Sequence, residues 1–151
     1  DVNLAGAVSM ITLALPDLLQ RGGGTILGMA SVAGYRGLPY GAAYCASKAG
    51  LIAFLESLRF EVEPRGVRVQ IVNPGFVKTP LTDRNPFPMP FLVSPEEAAE
   101  CTWRGFRRGA REIHFPRRFT WMLKMLRVLP FPLYHALVRR AAAGEEASRD
   151  G

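Results

Sequence analysis

The sequence predicts an α/β fold, a parallel sheet flanked by helices, followed by a basic amphipathic helical tail. Three observations carry that prediction: strand-like apolar runs at 25–31 and 67–72, a helix-length segment between them, and a shift to cationic, amphipathic sequence beyond Arg104. Strand, helix and strand in succession over about 50 residues make a right-handed parallel crossover.

Val2, Ala5, Val8, Ile11, Leu15 and Leu19 recur at three- or four-residue spacing, the period of a helix over residues 2 to 20. Pro16 predicts a kink within it, and Arg21-Gly22-Gly23-Gly24 its end. Thr25 to Ser31 is almost wholly apolar, as in a strand buried on both faces. Ala42 to Glu63 has the length and composition of a helix, ended by Pro64-Arg65-Gly66, and the β-branched run Val67 to Val72 stops at Asn73-Pro74-Gly75. Residues 79 to 93 carry Pro80, Pro86, Pro88 and Pro90, too many for helix or strand. Ser94-Pro95-Glu96-Glu97 then reads as a helix start, with an N-cap, a proline at the first helical position and acids in the first turn. That helix is expected to reach about Arg108, followed by a short strand at 111–116. Beyond it, Phe119, Met122, Leu126 and Leu129 oppose Arg117, Thr120, Lys124 and Arg127, an amphipathic helix terminated by Pro130 and Pro132. The domain reading is one α/β unit over 1–116, a basic helical extension over 117–143 and a disordered tail over 144–151.

The chain has 151 residues, 48% of them hydrophobic and 21% charged, which excludes a disordered or fibrous protein. Cys45 and Cys101 are too few for a disulfide scaffold, and with His114 and His135 they offer no metal-ligand spacing. No metal is expected, and two free cysteines suit a reducing, cytoplasmic setting. No run of 18 uncharged apolar residues occurs, so no bilayer-spanning segment is expected. The formal charge is +6, but the stretch from Arg104 to Arg140 holds ten Lys or Arg and one acid, Glu112. The basic tail therefore attaches to a mildly acidic body, and only the tail is suited to an anionic surface. Asp1 stands where a Met would begin a gene product and reads as the inside of an element, so a truncated or processed chain is expected.

Tyr44 and Lys48 lie four apart on the predicted helix, hence on one face. A cation held near a phenol favours the phenolate, which makes such a pair a proton donor and acceptor. Alone the pair is weak, because this spacing occurs by chance on many helices. Its company strengthens it. Ser31 lies at the C-terminal end of a strand, where open α/β sheets place ligands, and Asn73-Pro74-Gly75 closes the next strand at the same edge.

Four segments in order, Val2-Asn3-Leu4-Ala5-Gly6, Ser31-Val32-Ala33-Gly34, Tyr44-xxx-Lys48 and Pro74-Gly75-Phe76-Val77-Lys78-Thr79, closely resemble the C-terminal half of the short-chain dehydrogenase/reductase pattern. The resemblance covers residues 1 to about 116 and implies the C-terminal part of a Rossmann-type doubly wound parallel sheet. It implies an NAD(P)-dependent oxidoreductase interconverting a carbonyl and a secondary alcohol. Tyr44 would then be the general acid or base, Lys48 would hold the nicotinamide ribose and favour the ionised form of Tyr44, and Ser31 would orient the substrate oxygen. Asn3 would anchor a water in the proton relay. Pro74, Gly75, Val77 and Thr79 would line the nicotinamide pocket, and Phe87 and Phe91 in the proline-rich loop would meet an apolar or lipid-like substrate. Family habit leans to NADP(H), and to a homodimer or tetramer formed through the helices bearing Asn3 and Tyr44.

The family's TGxxxGxG turn and NNAG segment do not occur here. Gly22-Gly23-Gly24 is no substitute, because it follows a helix, whereas a phosphate-cradling turn follows a strand and opens a helix. The fragment alone is therefore expected to be inactive. The tail's Phe119, Trp121, Phe131 and Tyr134 among Arg and Lys match an interfacial helix, so peripheral membrane contact is expected through 117–140. Two other function classes compete: a non-catalytic membrane-associated or interaction protein derived from a truncated dehydrogenase, against which Asn3, Ser31, Tyr44 and Lys48 stand together, and a nucleic-acid binder, for which no motif occurs.

Overall fold

The computed structural model describes residues 2–80, 82 and 89–147. A π-helical turn, Val2–Gly6, leads into helix α1, Ala7–Gln20. Strand β1 is Gly24–Met29, followed by a 3-10 turn, Val32–Gly34, and the long helix α2, Ala42–Val62. Strand β2 spans Val67–Pro74, helix α3 Pro95–Arg107, strand β3 Glu112–Phe115, and helices α4 and α5 Arg117–Val128 and Phe131–Ala147.

The three strands form one parallel sheet in the order β1-β2-β3. Gly24 pairs with Val67 and Met29 with Val72, while Ile71 pairs with Glu112 and Pro74 with Phe115. Alternation sorts the faces. Ile26, Val67, Val69 and Ile71 enter the main core with Leu51, Ile52, Leu55 and Leu58 of α2, whereas Val72 joins Ile113 and Phe115 in a second cluster beside α3. A Cβ on Gly28 would lie 2.2 Å from Leu55, so the absent side chain is what lets α2 settle on β1. Phe119 and Leu123 bring α4 into the main core.

Loop chemistry explains the boundaries. Gly66 ends the α2 connection at φ 87°, where a Cβ would stand 2.4 Å from the Gly22 carbonyl oxygen. Ser94 and Glu97 form a reciprocal capping box at the start of α3.

Three expectations change. Pro16 lies inside α1, which follows the π-helical turn Val2–Gly6 and runs to Gln20, and the changes fall elsewhere. Pro132 does not end a helix but occupies the first turn of α5, where a missing N–H costs nothing. Residues 144–147 are helical, so the tail read as disordered from 144 continues α5 through Ala147. The helix Val2–Gln20 is also long and apolar enough to cross a membrane, with mean hydropathy 1.6. One side of it, Leu4, Ala7, Ile11, Leu15 and Leu18, packs against the core, while Met10 and Leu13 are exposed.

Candidate active site

The C-terminal ends of β1 and β2 gather the predicted residues. Ser31 is buried two residues past β1, where its extended backbone caps the 3-10 turn and its Oγ accepts from the Ala33 N–H at 3.2 Å. The same hydroxyl donates over a long 3.5 Å to the Pro74 carbonyl at the end of β2. The turn then presses on α2. A Cβ on Gly34 would come within 2.8 Å of the Lys48 carbonyl carbon and 2.9 Å of the Ala49 nitrogen, so only glycine allows this approach.

Lys48 reaches back across that contact and donates to the Met29 carbonyl at 3.1 Å. Its Nζ also stands 5.7 Å from the centroid of the Tyr44 ring, so the four-residue spacing does put the pair on one face. Burial pushes the Lys48 ammonium below the ordinary lysine value. Tyr44 is 46% exposed, its ring beside a cation that the strand end holds in place. Asn3 sits, exposed, in the π-helical turn, which packs on α2 through Leu4 against Gly50. π-Helical turns inside helices are frequent at functional sites.

The turn after β2 is tightly made. The Gly75 N–H donates to the Phe115 carbonyl at 2.7 Å, and a Cβ there would meet Phe119 at 2.9 Å. Val77 bridges to Val93 in parallel fashion, fixing the base of the proline-rich loop. Thr79 and Thr82 exchange hydrogen bonds through their hydroxyls and N–H groups. Phe91 adopts φ 60° and lays its ring 5.9 Å from Phe119 of α4, leaving half its surface exposed. Phe87 lies outside the described residues.

On the sheet face opposite α2, Leu27, Met29, Pro74, Val77, Trp103 and Phe106 line an apolar groove of about 540 Å³. It opens beside the Pro74–Val77 turn.

Sequence reasoning missed a polar cluster beneath the site. Glu112 accepts from Tyr35 at 2.6 Å and Asn73 at 2.9 Å through Oε1, and from Lys124 at 2.6 Å through Oε2. Burial pushes the Glu112 carboxyl up, but hydrogen bonds from Lys124, Tyr35 and Asn73 together hold it below the usual carboxylate range. Burial and the Glu112 carboxylate push the Tyr35 phenol far above its ordinary value, so it stays a donor. One signal was available, since Glu112 is the sole acid between Arg104 and Arg140.

Fold and site together define an α/β protein with Ser31 past the end of one strand and Tyr44 and Lys48 on one face of the helix that packs beside it. The chain belongs to the short chain dehydrogenase family, whose model matches residues 1–86. It is 45% identical over 140 residues to an uncharacterized oxidoreductase of Myxococcus xanthus, covering 93% of this chain and 55% of that protein. It is 42% identical over 84 residues to the 3-oxoacyl-acyl-carrier-protein reductase FabG of Rickettsia prowazekii, covering 56% of this chain and 35% of the reductase. Among solved structures, a Burkholderia cenocepacia short chain dehydrogenase in complex with NADP superposes with a TM-score of 0.78 at 27% identity, over 91% of this chain and 56% of that one. A short-chain dehydrogenase of Sphingobium yanoikuyae in complex with NADPH shares the fold, with a TM-score of 0.69 at 23% identity over 97% of this chain and 54% of that one. The chain thus spans about half the length of its relatives. Its sheet is the C-terminal part of a Rossmann-type doubly wound sheet, with a basic helical tail.

Proposed function

We propose that these residues are the catalytic half of an NAD(P)-dependent oxidoreductase that interconverts a carbonyl and a secondary alcohol. The observation that carries this reading is Lys48, anchored on the Met29 carbonyl and stacked near an accessible Tyr44, one turn of packing from Ser31.

The donor set fits the ribose and nicotinamide end of a dinucleotide. Lys48 and Tyr44 would hold the ribose hydroxyls, and the backbone of Pro74 to Thr79 would face the carboxamide. The cofactor, when bound, supplies the hydride. Tyr44 delivers a proton to the developing alkoxide, or takes one from the alcohol in reverse, and Ser31 hydrogen-bonds the same oxygen. Lys48 places positive charge beside the phenol, and Asn3 anchors the water that reconnects Lys48 to solvent. NADP(H) is favoured by the structural relatives, whose complexes hold NADP and NADPH. An apolar, acyl-like substrate suits Phe87 and Phe91 and the 3-oxoacyl relatives. Exposed Met10 and Leu13 of α1 and Phe60 of α2 support association of copies through those helices.

A second reading concerns the tail. Trp121, Met125, Val128, Phe131, Leu133 and Leu137 are exposed among Arg117, Arg118, Arg127, Arg139 and Arg140, which supports peripheral contact with an anionic bilayer.

The test of the catalytic reading is NADPH-dependent reduction of 3-oxoacyl thioesters by the full-length polypeptide. Tyr44→Phe is expected to lower kcat on the order of 10³-fold while cofactor affinity falls far less, because the proton donor is lost and Lys48 still holds the ribose. Near-normal turnover in that variant overturns the assignment.

A further inference from the structure

Between Ser31 and Tyr44 the chain runs through Tyr35, Arg36 and Gly37, and each of these three grips the C-terminal helices. Arg36 donates through Nη1 to the Leu126 carbonyl at 2.8 Å, the Arg127 carbonyl at 3.1 Å and the Leu129 carbonyl at 2.8 Å. These carbonyls lie at the C-terminal end of α4, where the Leu126 carbonyl also accepts a long bond from the Leu129 N–H, and a guanidinium is the natural cation for that end. The same guanidinium lies 3.8 Å over the Tyr134 ring of α5, close enough for a cation–π contact. Tyr134 is buried and donates its hydroxyl to the Gly37 carbonyl. Tyr35, also buried, reaches Lys124 of α4 through the shared Glu112 carboxylate, and Lys124 stands 5.6 Å over the Tyr35 ring.

We infer that α4 and α5 form a brace that sets the position of the segment joining Ser31 to Tyr44, with Arg36 as its central positioning residue. The inference rests on the proposed catalytic role of Ser31 and Tyr44. The physical reason is that this segment has no ladder of its own. Within it Tyr40 has φ 59°, the Gly41 N–H reaches the Leu38 carbonyl over a long 3.4 Å, and Gly41 begins α2 without a side-chain cap. Contacts from Lys124, Leu126, Arg127, Leu129 and Tyr134 supply that order from a distant part of the chain. None of them touches the reacting atoms.

The test compares the full-length polypeptide with Arg36→Met, which keeps the stem and removes the donors, and with Tyr134→Phe, which removes one hydroxyl. Amide hydrogen exchange of residues 32–41 is expected to quicken roughly tenfold in Arg36→Met and less in Tyr134→Phe, with the amides of 51–62 unchanged. In the same variants kcat is expected to fall roughly 10- to 100-fold, the size of effect a misplaced site produces, with KM for NADPH little altered. A merely structural role would lower thermal stability without that split. Unchanged exchange in both variants overturns the brace, and so does faster exchange with a normal kcat. Should Arg36→Met not fold, Tyr134→Phe decides by the same two readouts. A wild-type protein that reduces no carbonyl overturns the proposed function instead, and the exchange result alone then decides whether the brace exists.

Discussion

Lys48 meets two opposing demands, burial against the strand end and a charge beside Tyr44. Burial lowers its pKa below the ordinary value near 10.5. The folded state therefore binds that proton less readily than the unfolded chain. The resulting stability cost is absent above the ordinary value, grows as pH falls through it and is fully present below the folded value. Lys48→Met removes the cost together with the charge. It is expected to match or exceed the parent in thermal midpoint at neutral pH while losing turnover and cofactor affinity, as melting curves and cofactor titration will read. A midpoint well below the parent's would mean that the Met29 hydrogen bond outweighs burial. The Tyr44-Lys48 spacing was legible because helical geometry is local; the anchor on Met29, 19 residues away, was not.

At the scale of elements, β3 and α4 are joined through Glu112 and Lys124. The Glu112 carboxyl titrates below its ordinary value near 4.5, so its contribution to stability is present above that value and is lost as pH falls through the folded one. Glu112→Gln is expected to cost on the order of 1 kcal/mol at neutral pH, allowing for solvent screening, and progressively less in acid. Denaturant melts of both proteins from neutral pH to about pH 3 check this; a constant gap would show that the carboxylate's charge is not what matters. The strands and α3 were readable because apolar period, capping box and turn glycines act within a few residues. The end of α4 ahead of Pro130 was readable for the same reason, but the start of α5 at Phe131, with Pro132 in its first turn, was not, since Arg36 and Tyr134 hold that corner from elsewhere in the chain.

For the molecule as a whole, the exposed apolar faces divide by what surrounds them. Those of α1 and α2 carry Met10, Leu13 and Phe60, and Leu13→Glu is expected to shift the protein to a smaller species in size-exclusion chromatography with light scattering. An unchanged mass would remove these helices as the contact. Those of α4 and α5 are ringed by arginines, and flotation with anionic liposomes is expected at low salt and lost at high salt. Leu137→Glu is expected to weaken it severalfold, whereas binding equal to that of neutral liposomes would rule out the basic rim. On β1, the edge strand of the sheet order, Leu27 and Met29 are 39% and 52% exposed, in a strand whose sequence reads as buried on both faces.

By itself, the sequence determined the parallel α/β class and the order of elements through α4, and it singled out Asn3, Ser31, Tyr44 and Lys48 as the candidate site. Periodicity, helix caps and turn chemistry are local, and four motifs in register are specific even without coordinates. Only the tertiary structure decided how those residues are held. The Gly34 approach to α2, the Ser31 bond to Pro74, the Glu112 hub and the grip of Arg36 on α4 join positions 12 to 93 residues apart. Such contacts depend on how layers stack, and no spacing along a single chain encodes which distant carbonyl a guanidinium will find.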